Sequence, residues 1–89
     1  KVLYHYAVSA WNIRNFRLAK QLLDSVIDQP TEFEGWKSLA YLRRGELFDI
    51  EGKRMDAQAK YRAVLKYPDV WDSHKLARQR IRDPYHLND

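Results

Sequence analysis

Residues 41–68 read YLRRGELFDIEGKRMDAQAKYRAVLKYP and contain two apolar stripes with the period of amphipathic α-helices. The stripes, each spaced i, i+4 and i+7, are Tyr41, Gly45 and Phe48, and then Ala57, Tyr61 and Val64. Only a short break at Gly52 separates them, so the sequence predicts an antiparallel helical hairpin. Gly45 and Ala57 fall in the middle of helices, where Gly costs about 1 kcal/mol relative to Ala. Small residues at both positions indicate a close approach of the two helices.

The order of residue types in this hairpin resembles the tetratricopeptide repeat (TPR) family. In that family the first helix carries an aromatic, a small and a second aromatic residue, and the second helix carries an Ala, two apolar positions and a terminal Pro. The matching positions here are Tyr41, Gly45, Phe48, Ala57, Tyr61, Val64 and Pro68. The resemblance implies a right-handed α-solenoid that binds peptides on its inner face, which the first helix of each hairpin lines.

The same pattern occurs earlier in the chain. A shift of 38 residues places Ala7, Ala10, Ala19, Leu23, Val26 and Pro30 on Gly45, Phe48, Ala57, Tyr61, Val64 and Pro68. The small residues and both prolines recur, which indicates an internal repeat. Because the family period is about 34 residues, we place the surplus in segment 31–36, where Thr31 and Glu34 fit a capping box. The first repeat departs from the family, since Leu3 and Ala10 replace its aromatic residues.

These patterns predict one all-α domain, a short right-handed α-solenoid of two antiparallel TPR-like hairpins with a fifth, capping helix. The predicted helices cover residues 2–13, 17–28, 32 or 34 to 51, 53–66 and 70–82. Repeat one spans residues 2–30 and repeat two residues 34–68. Asp69 is the expected N-cap of the last helix, and residues 83–89 are expected to form a loose tail.

The composition of the 89-residue chain limits the classes of protein to which it can belong. With 45% apolar residues and only three Gly and three Pro, it is typical of a folded, helix-rich domain. The net charge is +4, and basic and acidic residues are interspersed along the chain, so solubility explains this charge as well as an anionic partner does. The lack of Cys excludes disulfide and thiol chemistry, and no run approaches the ~18 apolar residues of a membrane span. Helical periodicity starts at the first residues, so we expect a fragment of a longer protein; the compartment is not indicated.

The TPR resemblance assigns a partner-binding face to the first and third helices. By position this face consists of Tyr4, Val8, Trp11, Asn12, Leu39, Leu42, Glu46, Asp49 and Ile50. An apolar groove of this kind favours a helix or an extended segment with hydrophobic anchors. Tyr4 and Val8 stand where chaperone-binding members of the family carry residues of a carboxylate clamp, so that activity is not expected. The alternative is that this face packs against a neighbouring repeat or another part of the parent protein.

Two other roles stay open. Because about three repeats are normally needed for stability, a structural, self-associating domain is the second hypothesis. Nucleic-acid binding is the third, since basic residues follow Trp71 near the end of the chain. The candidate anion-binding residues are Lys75, Arg78, Arg80 and Arg82. A charged outer face on a solvated helix is the favoured interpretation of this cluster.

The sequence lacks motifs for catalysis, for metal binding and for cofactor binding. His5, His74 and His86 share no ligand spacing, and we expect His5 to pack among tyrosines. There is no Gly-rich phosphate loop, and the Ser residues lie within or at the start of predicted helices. Glu46 and Asp49 lie three apart on one helix face, where carboxylates without a cavity are ordinarily surface groups. We therefore expect a chain that is not an enzyme.

Overall fold

The structure, a computed structural model, describes residues 2–87. Its five helices are α1 (Val2–Asn12), α2 (Phe16–Asp28), α3 (Gly35–Ile50), α4 (Arg54–Val64) and α5 (Ser73–Arg82). No strand occurs in this range, so the predicted all-α class is confirmed. Each helix packs against its neighbours in sequence, and α3 also contacts α5. This packing makes α3 the central helix.

Two short turns reverse the chain, one between α1 and α2 and one between α3 and α4. In the first, the Asn15 side chain accepts the Leu18 N–H at 3.3 Å and caps α2. In the second, Gly52 has a φ of 78°, a left-handed conformation that Gly adopts without the penalty of a side chain. No atom lies within 4 Å of the position its Cβ would take, so the backbone conformation and not lack of space favours Gly52.

The core has two apolar clusters, and α3 contributes to both. The α1–α3 cluster consists of Ala7, Ala10, Trp11, Ala19, Leu23, Val26, Ala40 and Leu47. The α3–α5 cluster consists of Leu42, Ala57, Tyr61, Val64 and Ala77. Gly45 lies against the fully buried ring of Tyr61, where a Cβ would come within 2.6 Å of Tyr61 Cδ1. The space that a side chain at position 45 would need is therefore occupied by the Tyr61 ring of α4.

Two predicted helix starts are wrong in detail. Thr31 does not form a capping box; its hydroxyl accepts the Phe33 N–H at 3.2 Å in a local turn, and α3 begins at Gly35. The N-cap position of α5 is Asp72 instead of Asp69. The Asp69 carboxylate still accepts the N–H of the second residue of the helix at 3.1 Å. Asp69 therefore supplies the capping hydrogen bond from outside the N-cap position.

Candidate functional site

Glu46, expected on an open face of α3, is buried in a polar cluster. Its side chain is 4% exposed, and its Oε2 accepts a hydrogen bond from Arg80 Nε at 2.7 Å. Arg43 Nη1 lies 3.4 Å from the other carboxylate oxygen. Burial raises the pKa of the Glu46 carboxyl, while the charges of Arg43 and Arg80 lower it. The carboxylate fixes α5 against α3, and its position is internal.

Asp49 is the second carboxylate of this cluster, with a side chain 1% exposed. It accepts hydrogen bonds from the Tyr61 hydroxyl at 2.6 Å, from Arg54 Nη1 at 3.0 Å and from the Tyr85 backbone N–H at 2.9 Å. Arg54 also donates to the Ile81 carbonyl at 2.8 Å, which ties α4 to the end of α5. Burial and the hydrogen bond to Asp49 raise the pKa of the Tyr61 phenol. Both carboxylates are therefore occupied by groups of this chain.

Tyr85 occupies the space beside Trp11. Its ring centroid lies 6.2 Å from that of Trp11 in an edge-on arrangement, and the Arg80 guanidinium lies 5.0 Å from the Tyr85 centroid. Trp11 is buried, with the Arg43 guanidinium 4.9 Å from its ring. The prediction of a loose tail is wrong for this part of segment 83–87, because Tyr85 is held by its backbone and by its ring. Residues 88 and 89 of the expected tail lie outside the described residues.

The remaining predicted partner-binding residues differ in their surroundings. Leu42 is buried in the α3–α5 cluster, and Ile50 packs against the α1–α3 cluster. Val8 is half-buried, and Asn12 is exposed. The two that line an open groove are Tyr4 and Leu39. Helical spacing places these residues on a face but does not show what covers that face.

This aromatic groove lies between α1, α3 and the segment before α5. It has a volume of about 430 Å³, and its lining consists of Tyr4, His5, Trp36, Leu39 and Trp71. The Trp36 ring centroid lies 5.6 Å from that of Tyr4 and 5.8 Å from that of Trp71. The His5 ring also contacts Trp36, at 5.8 Å, and Phe33 extends the row of rings at 6.5 Å from Trp71. The volume falls within the range of about 300–1,000 Å³ that is usual for ligand sites.

Trp71 is held in solvent by an unusual backbone turn. Its side chain is 66% exposed, and both Trp71 and Asp72 have left-handed φ angles, 47° and 60°. A positive φ is exceptional for a bulky residue and costs on the order of 1–3 kcal/mol. The turn is fixed by Ser73, whose hydroxyl accepts the Val70 N–H at 3.1 Å and whose N–H donates to the Val70 carbonyl at 2.9 Å. The fold therefore keeps a large apolar side chain in water at the cost of backbone strain.

The turn that carries Trp71 is anchored to α3. A Cβ on Gly35 would lie 2.6 Å from Phe33 Cζ and 2.9 Å from Val70 Cγ1, so a glycine allows the two segments to meet. Ser38 donates a hydrogen bond to the Pro68 carbonyl at 2.6 Å. Neither groove tryptophan, Trp36 or Trp71, belongs to the partner-binding face predicted from the sequence. The available signal was the surplus segment 31–36, which brings aromatic residues to the start of α3.

The four predicted anion-binding residues do not share one surface. Arg80 is engaged with Glu46 and is not part of an outer face. The three that are exposed are Lys75, Arg78 and Arg82. Arg44 is buried; its Nε lies 2.8 Å from an oxygen of Asp24, and its guanidinium lies 4.5 Å from the centroid of the Phe48 ring.

A second apolar surface, the α1–α2 patch, lies on the other hairpin. It encloses about 470 Å³ and is lined by Tyr6, Ser9, Ala10, Ile13, Leu18 and Leu22. Ile13 is 74% exposed, and Tyr6 and Leu18 are also open to solvent. Exposed side chains of this size in one patch are typical of an interaction surface.

Comparisons with known proteins give no identification. A scan against protein-family models, a search of curated proteins and a search of solved structures each return no significant match. Within residues 2–87, no cluster of three or more His, Asp or Glu side chains is arranged to hold a metal ion. No helix of the described chain has the length and apolar character required to cross a membrane.

Proposed function

We propose that this chain is a non-enzymatic protein-interaction module that binds a segment of a partner protein in the aromatic groove. The observation that carries the proposal is the exposed Trp71 on its strained turn. Full burial of a large apolar side chain is worth about 1.5–3 kcal/mol, so a partner that covers Trp71 recovers free energy that folding leaves unused. Trp and Tyr are also the residues that most often dominate the energy of protein interfaces.

We further propose that the two hairpins form a short right-handed TPR-like solenoid with α5 as its cap. Support comes from the groove, because α1, α3 and the segment before α5 all contribute to it, as the first helices of TPR hairpins line an inner face. In this arrangement the inner face has two halves. One half is the open aromatic groove, and the other is filled by Tyr85 and Arg80 of the chain itself.

The test begins with selection of ligands from a random peptide library by the immobilised chain. Affinities of the enriched peptides are then measured by fluorescence anisotropy for the parent chain and for Trp71→Ser. We expect the substitution to weaken binding about thirtyfold, since truncation of an interface anchor costs about 2 kcal/mol. Met55→Ser is the matched control, because Met55 is 84% exposed on α4 outside the groove. No enriched peptide, or equal binding by both variants, would refute the proposal.

Self-association through the α1–α2 patch is the second candidate, favoured by the exposure of Ile13, Tyr6 and Leu18. It predicts a dimer whose population rises with protein concentration in sedimentation experiments. Ile13→Ser should lower that population, and Met55→Ser should leave it unchanged. A monomer at every concentration excludes this candidate and leaves the aromatic groove as the interaction site.

A further inference from the structure

The rings of the aromatic groove differ from the other aromatic rings in their partners. Within residues 2–87, four rings outside the groove have a cation over them at 4.5–5.5 Å, namely Trp11, Phe48, Tyr41 and Tyr85. Among the described residues, no Arg or Lys side chain is placed in this way over Trp36 or Trp71. Trp is the ring that attracts cations most strongly. Trp36 is surrounded by other rings of the groove, whereas Trp71 is 66% exposed, so Trp71 offers a cation-binding face that the described chain leaves open.

The two segments that border the groove are acidic. Residues 31–37 and 69–72 together contain four carboxylates, which are Glu32, Glu34, Asp69 and Asp72. All four residues are exposed. Lys37 supplies the only basic side chain in these segments, and it lies 3.8 Å from Glu34. The chain as a whole has a net charge of +4, so these two segments have the opposite sign to the chain that carries them.

We infer that the segment bound in the aromatic groove is basic, with an Arg or Lys side chain over Trp71 and an aliphatic neighbour against Leu39. This inference rests on the proposed interaction function and specifies its ligand. The ring faces attract the cation, and the acidic border supplies complementary charge that steers the partner and fixes its orientation. An acidic segment meets repulsion from the same border. A neutral segment leaves both the ring faces and the border without their complementary charge.

The experiment compares three peptides that differ at two positions only. Each is an acetylated and amidated peptide with the order X-Leu-X between flanking Gly and Ser residues, where X is Arg, citrulline or Glu. Citrulline has nearly the shape of Arg but no charge, so it isolates the contribution of the cation. We expect the Arg peptide to bind with an affinity that falls as salt is raised, and the citrulline peptide to bind about threefold to thirtyfold more weakly. The Glu peptide should not bind measurably.

Variants of the protein test the two parts of the site separately. Trp71→Ser should weaken the Arg peptide but change the citrulline peptide less. The double substitution Glu32→Gln and Asp72→Asn should weaken the Arg peptide and flatten its salt dependence. Asp56→Asn removes an exposed carboxylate at the start of α4 and is the matched control, expected to leave the affinity unchanged.

The outcomes separate this inference from the function on which it rests. Equal affinity for the Arg and citrulline peptides, or tighter binding of the Glu peptide, overturns the basic ligand but leaves an interaction groove. Failure of all three peptides while library-selected peptides bind through Trp71 has the same meaning. Failure of the three peptides together with failure of the library overturns both proposals.

Discussion

Replacement of Gly45 by Ala separates helix propensity from packing, because the two effects have opposite signs. Propensity alone predicts that Ala stabilises the middle of α3 by about 1 kcal/mol. In the structure the new Cβ would lie 2.6 Å from Tyr61 Cδ1, closer than real Cβ contacts allow. The ring cannot easily move away, because it is fully buried and its hydroxyl is bound to Asp49 at 2.6 Å. We therefore expect Gly45→Ala to destabilise the fold.

The magnitude follows from these two contributions. Overpacking in a core costs about 1–3 kcal/mol, and a contact with a rigid, tethered ring belongs in the upper half of that range. After the favourable contribution of propensity is subtracted, the free energy of unfolding falls by about 1–2 kcal/mol. A change of 1 kcal/mol moves the Tm of a domain of 60–100 residues by about 4–8 °C. The variant should therefore melt about 4–16 °C below the parent.

Thermal and urea unfolding followed by circular dichroism measure this difference. Gly52→Ala is the control, because it meets no neighbouring atom and acts only through its φ of 78°. In a Tyr61→Leu background, Gly45→Ala should cost less than in the parent, since the ring that it meets is gone, whereas Gly52→Ala should cost the same in both. A Gly45→Ala variant that melts at or above the parent temperature would refute the packing argument.

Three further predictions concern the polar and aromatic contacts. The pKa of Tyr61 is raised in the folded state, so the free energy of unfolding falls as the pH rises above the ordinary pKa of tyrosine. Tyr61→Phe should reduce this loss of stability at alkaline pH, which urea unfolding at several pH values measures. Arg44→Leu should leave the free energy of unfolding nearly unchanged or raise it, whereas Asp24→Ala should lower it because a buried cation is left unpaired. A thermal melt in which Arg44→Leu is the less stable of the two variants would contradict this. In a chain that keeps Trp11 as its one tryptophan, Tyr85→Ala should shift the fluorescence emission of Trp11 to longer wavelength. An unchanged spectrum would show that Tyr85 does not cover Trp11.

The helices and their closest contact could be predicted from sequence because their signals are local. The i, i+4, i+7 stripes fix the helices, and Gly45 inside one of them indicates a neighbour at short distance. The neighbour proved to be Tyr61, which lies in the paired stripe on the adjacent helix. Information of this kind is contained within one hairpin, so periodicity is sufficient to find it.

The burial of Glu46 and Asp49 could not be predicted in the same way. Charged residues are rarely buried unless they are paired, so a carboxylate on a helix face indicates a surface. The groups that pair with these carboxylates include Arg80, 34 residues from Glu46, and the Tyr85 backbone, 36 residues from Asp49. The Tyr85 contact is made by a backbone N–H, which any residue except Pro carries. No side-chain pattern marks such a contact.

The exposure of Trp71 could not be predicted from the sequence either. A Trp between Val70 and Asp72 fits the start of an amphipathic helix, and the expected helix indeed included it. Its exposure depends on two successive left-handed residues, which are rare for side chains of this kind. The hydrogen bonds of Ser73 that stabilise this turn join residues only three apart, but the sequence has no Gly at the two left-handed positions to indicate the turn.

The contact between Tyr85 and Asp49 has a consequence for the order of events during synthesis. The ribosome releases the chain from its N-terminal side, so α1 to α4 emerge before the group that completes the hydrogen bonds of Asp49. Until residue 85 has left the exit tunnel, Asp49 lacks one of its donors and Trp11 lacks one of its neighbouring rings, the other being Phe16. A nascent chain that has released α1 to α4 but not residue 85 therefore lacks groups that complete the polar cluster of Glu46 and Asp49.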